Sequence, residues 1–243
     1  MSRIVKNDFD VLKEYLCSYN LKELTDSNEG LSTFQNIHKF LFGIIALVSE
    51  LEDKVLSKNN YDDVLKDDLI EQFSFLKECI SDLISSFFIS FHGAYKVAEF
   101  ILRSSVEMFL RGMYYIEVPS IKAEKNLYKF FDAIKIAPSL NANELVKNHF
   151  DDIHQLYSDL CNYAHTSSKL HMDEIWSLNI FPKYNKEKLQ MYKNNFTRLT
   201  RNYIFIICIR FKDDFHNIYF ENKQTILECL SKNEKKFLMG NID

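Results

Sequence analysis

Four charged residues recur at every fourth position of one apolar stretch: Glu99, Arg103, Glu107 and Arg111. On a helix such a row drifts about 40° around the axis per step, so adjacent members can pair as carboxylate and guanidinium. An exposed ladder of this kind is ordinary. Here the intervening residues include Tyr95, Phe100, Ile101, Leu102, Val106, Phe109, Leu110 and Met113, so most of the helix must be packed inside. Ionised groups on such a helix need water, partners or a ligand. Arg103 and Glu107 are the resulting candidates: a guanidinium suited to phosphate charge, with a carboxylate beside it.

A second segment offers a proton carrier. His154, Ser158, Cys161 and His165 are spaced four, three and four, a polar edge beside an apolar stripe. Thr166, Ser167 and Ser168 follow His165 directly, which puts its imidazole at a helix C-terminus, where the dipole favours the protonated ring. Near an arginine, such a histidine suits proton transfer at a phosphate; the plainer role is capping of the last carbonyls. Arg210 continues a later apolar stripe four residues after Ile206 and requires a carboxylate or phosphate partner if buried. Metal chemistry has little support, because His149 and His154 lie five apart and miss a shared helical face, while Asp151 and Asp152 read as solvated. No glycine-rich phosphate loop, nucleophile elbow or cysteine-nucleophile signature is present, and no cofactor is implied.

The elements that must position these groups are helical. With 5 Gly and 3 Pro in 243 residues, and 47% hydrophobic residues, the chain suits long helices with few turns and a sizeable core. The expected class is all-α, a bundle of long, mostly antiparallel helices forming one domain over 1–243. A first helix is predicted over 8–24 with Asp8 as N-cap. A long second one carries Phe34, Ile37, Leu41, Ile44, Val48, Leu51 and Val55 on one stripe. A third, from Asp62 to about His92, turns Leu65, Leu69, Phe73, Leu76, Ile80, Leu83 and Phe87 inward. Gly93 either breaks the chain before a fourth helix over 94–117 or bends one long helix. A short helix over 127–134 precedes one capped by Ser139 or Asn141 and ending at His165. The segment 166–182 reads as a long loop. A basic amphipathic helix follows through Leu189, Tyr192, Phe196, Leu199, Tyr203 and Ile206, and a last helix is predicted over 224–238. The helices at 8–24 and 224–238 are expected to flank a core of about 31–221.

Charge is unevenly spread around a net value of −4. Residues 59–90 hold seven acids against two lysines, whereas 183–212 hold eight basic residues against Glu187. A phosphate-rich partner could use the basic stretch; otherwise it is a solvated face paired with the acidic segment. Five scattered cysteines without a C-x-x-C pair suit reduced thiols. No signal peptide is evident, and the apolar runs at 83–102 and 203–209 read as core rather than membrane spans. A cytoplasmic location without membrane association is expected.

The stretch 103–111, Arg-Ser-Ser-Val-Glu-Met-Phe-Leu-Arg, followed by 156–168, Leu-Tyr-Ser-Asp-Leu-Cys-Asn-Tyr-Ala-His-Thr-Ser-Ser, resembles the HEPN superfamily, and more narrowly its abortive-infection-like bacterial branch. The likeness covers about 95–170. It implies a helical bundle, metal-independent cleavage of RNA in phage defence or a toxin module, and a homodimer, with a protein partner from the same operon as a further expectation. It implies that His165 exchanges a proton with the RNA 2′-hydroxyl or the leaving oxygen while an arginine stabilises the phosphate. The arginine that usually precedes the histidine is missing, since Ser158, Asp159 and Leu160 occupy those positions. Arg103 would therefore supply the charge, with Glu107 and Asn162 as further catalytic candidates and Arg111, Tyr163, Ser167 and Arg210 as substrate-binding ones. Without that substitution the fold would serve as a non-catalytic sensor or partner-binding module. A helical scaffold with the Glu/Arg row as a surface ladder is the third reading.

Overall fold

The computed structural model describes residues 2–18, 27–58, 61–165 and 184–240, except for the side chains of 15–18 and 164–165. All regular structure among them is helical: α1 (Arg3–Ser18), α2 (Asn28–Leu56), α3 (Asp63–Phe91), α4 (Tyr95–Tyr114), α5 (Leu127–Ile134), α6 (Pro138–Asn141), α7 (Glu144–His165), α8 (Lys186–Arg210), α9 (Lys212–His216), α10 (Phe220–Leu227) and α11 (Lys232–Met239). A 3-10 turn, Pro119–Lys122, follows α4. The expected all-α bundle is the architecture found.

The expected stripes form the core. On α2 the seven stripe residues from Phe34 to Val55 are all buried. On α3, Leu69, Phe73, Leu76, Leu83 and Phe87 are buried, Ile80 is partly covered, and Leu65 is exposed at the first turn. The helix α8 is enclosed on nearly every side over 202–208, and Tyr203 stacks on Phe109 of α4 with ring centroids 3.9 Å apart. Burial of this many large apolar side chains is the dominant stabilising contribution.

Gly93 adopts φ 71°, a left-handed conformation that glycine tolerates. The chain therefore reverses there instead of bending one long helix, and α3 and α4 form an antiparallel hairpin. Ser86 Oγ of α3 donates to the Ala98 carbonyl of α4. Further along, the two backbones approach at Gly112, where a Cβ would lie 2.9 Å from Leu76.

Several helix ends differ from expectation. The first helix starts at Arg3, and Asp8 lies in its interior, where it binds His38 of α2. Ser27 caps α2 and accepts from the Gly30 amide. Pro138 opens the separate short helix α6, and Asn143, not Ser139 or Asn141, accepts the first amide hydrogens of α7. The predicted helix over 224–238 is two helices, because Ser231 and Glu234 form a capping box that starts α11 anew. The run 166–182 lies outside the described residues.

The arginines of α8, and its Lys186, pair with acids outside 59–90: Arg198 meets Asp152, Arg201 meets Glu234, Arg210 meets Glu117, and Lys186 meets Glu29. Among the described residues, α2 alone has the length and hydropathy of a membrane-spanning helix, with half of its apolar window buried in the bundle.

Candidate functional site

The Glu/Arg row of α4 divides among three neighbours, as its drift around the axis requires. Glu99 faces α8, Arg103 and Glu107 face α7, and Arg111 faces the turn after α4. Arg111 lies over the Phe130 ring and donates to the backbone carbonyls of Ile121, Lys122 and Glu124. Its guanidinium thus fixes the chain between α4 and α5, which is a structural role for a residue the sequence suggested for substrate binding.

Arg103 makes the central contact. Its Nη2 donates to the Tyr157 hydroxyl at 2.5 Å, its Nε donates to Cys161 Sγ at 3.3 Å, and its guanidinium carbon lies 4.8 Å from the Tyr157 ring centroid. Tyr157 in turn donates to Glu107 Oε1 at 2.9 Å, and Arg103 reaches the same oxygen at 3.4 Å. The side chains of Arg103 and Glu107 keep about a fifth of their surface in solvent, so the group borders water. Burial opposes the Arg103 charge, but Cys161, Tyr157 and Glu107 outweigh it and hold its pKa above the ordinary value. Burial and the Glu107 carboxylate raise the Tyr157 hydroxyl, which therefore stays protonated as a donor. On the α3 side, Asp82 has its carboxyl raised by burial, against a hydrogen bond from Ser104, with the charges of Glu78 and Glu107 adding to the rise. Its Oδ2 is buried without a hydrogen-bond partner among the described residues.

Since α4 and α7 run antiparallel, the chain from Glu107 back to Glu99 follows α7 from Tyr157 toward its end. Cys161 lies one helical turn before His165, the last residue of α7. The His165 side chain and Ser167 lie outside the described residues. Asn162 is exposed on α7, and Tyr163 is buried where Asn195 of α8 bonds both it and Glu99. Glu99 is 1% exposed, and burial, against the Asn195 hydrogen bond, pushes its carboxyl up to about 8, so it is a neutral acid near pH 7. Arg210 is not part of this group. It pairs with Glu117 beyond the opposite end of α4, the carboxylate partner its stripe position required.

The sequence singled out neither Tyr157 nor Asp82 as a candidate. Nor did it single out a second polar cluster. Between α7 and α8 an open cleft of about 550 Å³ is lined by His149, Asp152, Arg198, Arg201 and Asn202, with Phe40 of α2 at its edge. Asp152, expected to be solvated, accepts from Arg198 and from Asn202. His149 lies between Asn202 Oδ1, at 2.7 Å, and Glu234, at 3.2 Å. Only the crowding of His149, Asp152, Arg198, Arg201 and Asn202 at helical intervals hinted at this. Among the described residues, no group of three or more His, Cys, Asp or Glu side chains could hold a metal ion.

Compared with known protein families, curated proteins and solved structures, the chain matches none.

Proposed function

We propose that the chain is an HEPN-like endoribonuclease of a bacterial defence or toxin system, acting in the cytoplasm as a homodimer. The reacting phosphodiester is assigned to the face where Arg103 meets the C-terminal end of α7. One observation carries this reading: Arg103 crosses from α4 to Tyr157 and Cys161 of α7, one turn before His165. That contact offers a fixed guanidinium at the helix end where the sequence puts a proton carrier, although the usual arginine is absent from α7 itself. Arg103 balances charge on the pentavalent phosphate while His165 takes the 2′-hydroxyl proton or returns one to the departing 5′-oxygen. The new bond joins the 2′-oxygen to phosphorus, the bond to the 5′-oxygen breaks, and the products are a 2′,3′-cyclic phosphate and a 5′-hydroxyl.

A second reading has its own support. The Arg103 charge is already met by Glu107 and Tyr157, as in a non-catalytic module that binds a partner protein from the same operon. Expression in growing cells separates the two. A nuclease arrests growth as wild type and not as His165→Ala or Arg103→Gln. Equal arrest by wild type and His165→Ala overturns the assignment, and harmless expression of all three with a co-purifying subunit favours the second reading.

A further inference from the structure

The cleft between α7 and α8 is separate from the Arg103 group. On α7 its residues His149 and Asp152 precede Tyr157 and Cys161 and face α8, not α4. Its volume, about 550 Å³, is in the range of ligand-holding clefts.

Its charges are arranged in a specific way. Arg198 grips Asp152 through Nε and Nη2, and Arg201 grips Glu234 through Nε and Nη2. Each guanidinium is thereby fixed, and each Nη1 amino group has no protein partner among the described residues. Both arginines are exposed, lie three residues apart on α8 and line the same cleft. Beneath them, Asn202 Nδ2 donates to Asp152, which turns Asn202 Oδ1 toward His149 Nδ1. His149 Nε2 faces the Glu234 carboxylate. His149 thus has an oxygen facing each ring nitrogen, one from Asn202 and one from Glu234. The two arginines and the two carboxylates balance in charge, and the unpaired amino edges of the arginines are the donors left over for a ligand. Asn148, Asn194 and Thr197 complete the wall with uncharged polar groups. Fixed guanidiniums with free donor edges on one cleft wall suit a tetrahedral oxyanion.

We propose that the α7–α8 cleft is a binding site for a phosphate-bearing small ligand, held by the free Nη1 edges of Arg198 and Arg201 above the His149 imidazole. The site is independent of the nuclease reading and stands if that reading fails.

Calorimetric titration of the full chain with inorganic phosphate, pyrophosphate and AMP tests this. Binding of any probe, weakened by added salt, is expected. Arg198→Gln should weaken it about tenfold, the loss of one charge-assisted contact. Because Arg198 also holds Asp152, Asn194→Asp serves as a second variant: it adds a negative charge at an exposed wall position and leaves the Gln190 hydrogen bond to its Oδ1 in place. It should weaken binding by a similar factor. Tighter binding of AMP than of phosphate would mark a phosphate monoester as the ligand, and equal binding a free oxyanion; both support the site. Absence of binding by all three probes, or unchanged affinity in Asn194→Asp, overturns it.

Discussion

Arg103 of α4 and Tyr157 of α7 are joined twice, by a 2.5 Å hydrogen bond to the hydroxyl and by the guanidinium lying against the ring. The hydroxyl passes its own hydrogen to Glu107, so one tyrosine orients both the cation and its carboxylate. Tyr157→Phe keeps the ring and removes the bridge. It should cost about 1 kcal/mol in urea unfolding and reduce the proposed RNA cleavage, because the hydroxyl that orients both Arg103 and Glu107 is lost while Arg103 keeps Cys161, Glu107 and the ring.

Glu99 predicts an unusual dependence of stability on pH. Its folded carboxyl, raised by burial to about 8, binds its proton more tightly than the unfolded one does. Its contribution is fully present below the ordinary carboxyl range, declines as pH rises, and is lost above about 8. Glu99→Gln, which stays neutral, should flatten that decline. Denaturant midpoints between pH 5 and 9 measure the difference between the two curves.

Glu234 carries the opposite sign. Burial opposes its charge, but hydrogen bonds from His149, Arg201 and Ser231 outweigh it and hold the carboxyl down at about 2. Its stabilisation is present above the ordinary carboxyl range and is lost as pH falls toward 2. Glu234→Gln removes the charge that anchors α11 to α7 and α8, and should cost about 2 kcal/mol at neutral pH. Amide exchange should rise in 232–239 before the rest of the bundle.

Gly112 marks the closest approach of α3 and α4. An alanine Cβ there would lie 2.9 Å from two Leu76 carbons and 3.3 Å from the Gln72 carbonyl, and Leu76 is itself buried. Overpacking costs about 1–3 kcal/mol, against about 1 kcal/mol gained in helix propensity. Gly112→Ala should therefore be neutral to destabilising, and never stabilising, in thermal unfolding.

The helices were legible because their information is local. The stripe from Phe34 to Val55 and the run from Leu189 to Ile206 state both the element and its inner face, and Asp62 announced the start of α3 correctly. The capping box of Ser231 and Glu234 is also local, but it lies within an apolar rhythm that reads straight through it. The polar clusters depend on distant pairings. Nothing near Asp152 in sequence indicates Arg198, and nothing near His149 indicates Glu234, 85 positions later. Tyr157 fits the stripe of α7 by its ring and the Arg103 group by its hydroxyl, and helical spacing records only the first. The row on α4 was readable as a set of charges, but its division among three neighbours appears only once α7, α8 and the turn after α4 are in place.

On the proposed assignment, Arg103 and the end of α7 act together on an RNA phosphodiester. The most direct measurement is end-group analysis of RNA incubated with the full chain in excess EDTA, for wild type, Arg103→Gln and His165→Ala. Wild type should yield fragments ending in 2′,3′-cyclic phosphate, and neither folded variant any above background. Fragments of equal yield from wild type and both variants, or no cleavage by wild type, would contradict that assignment.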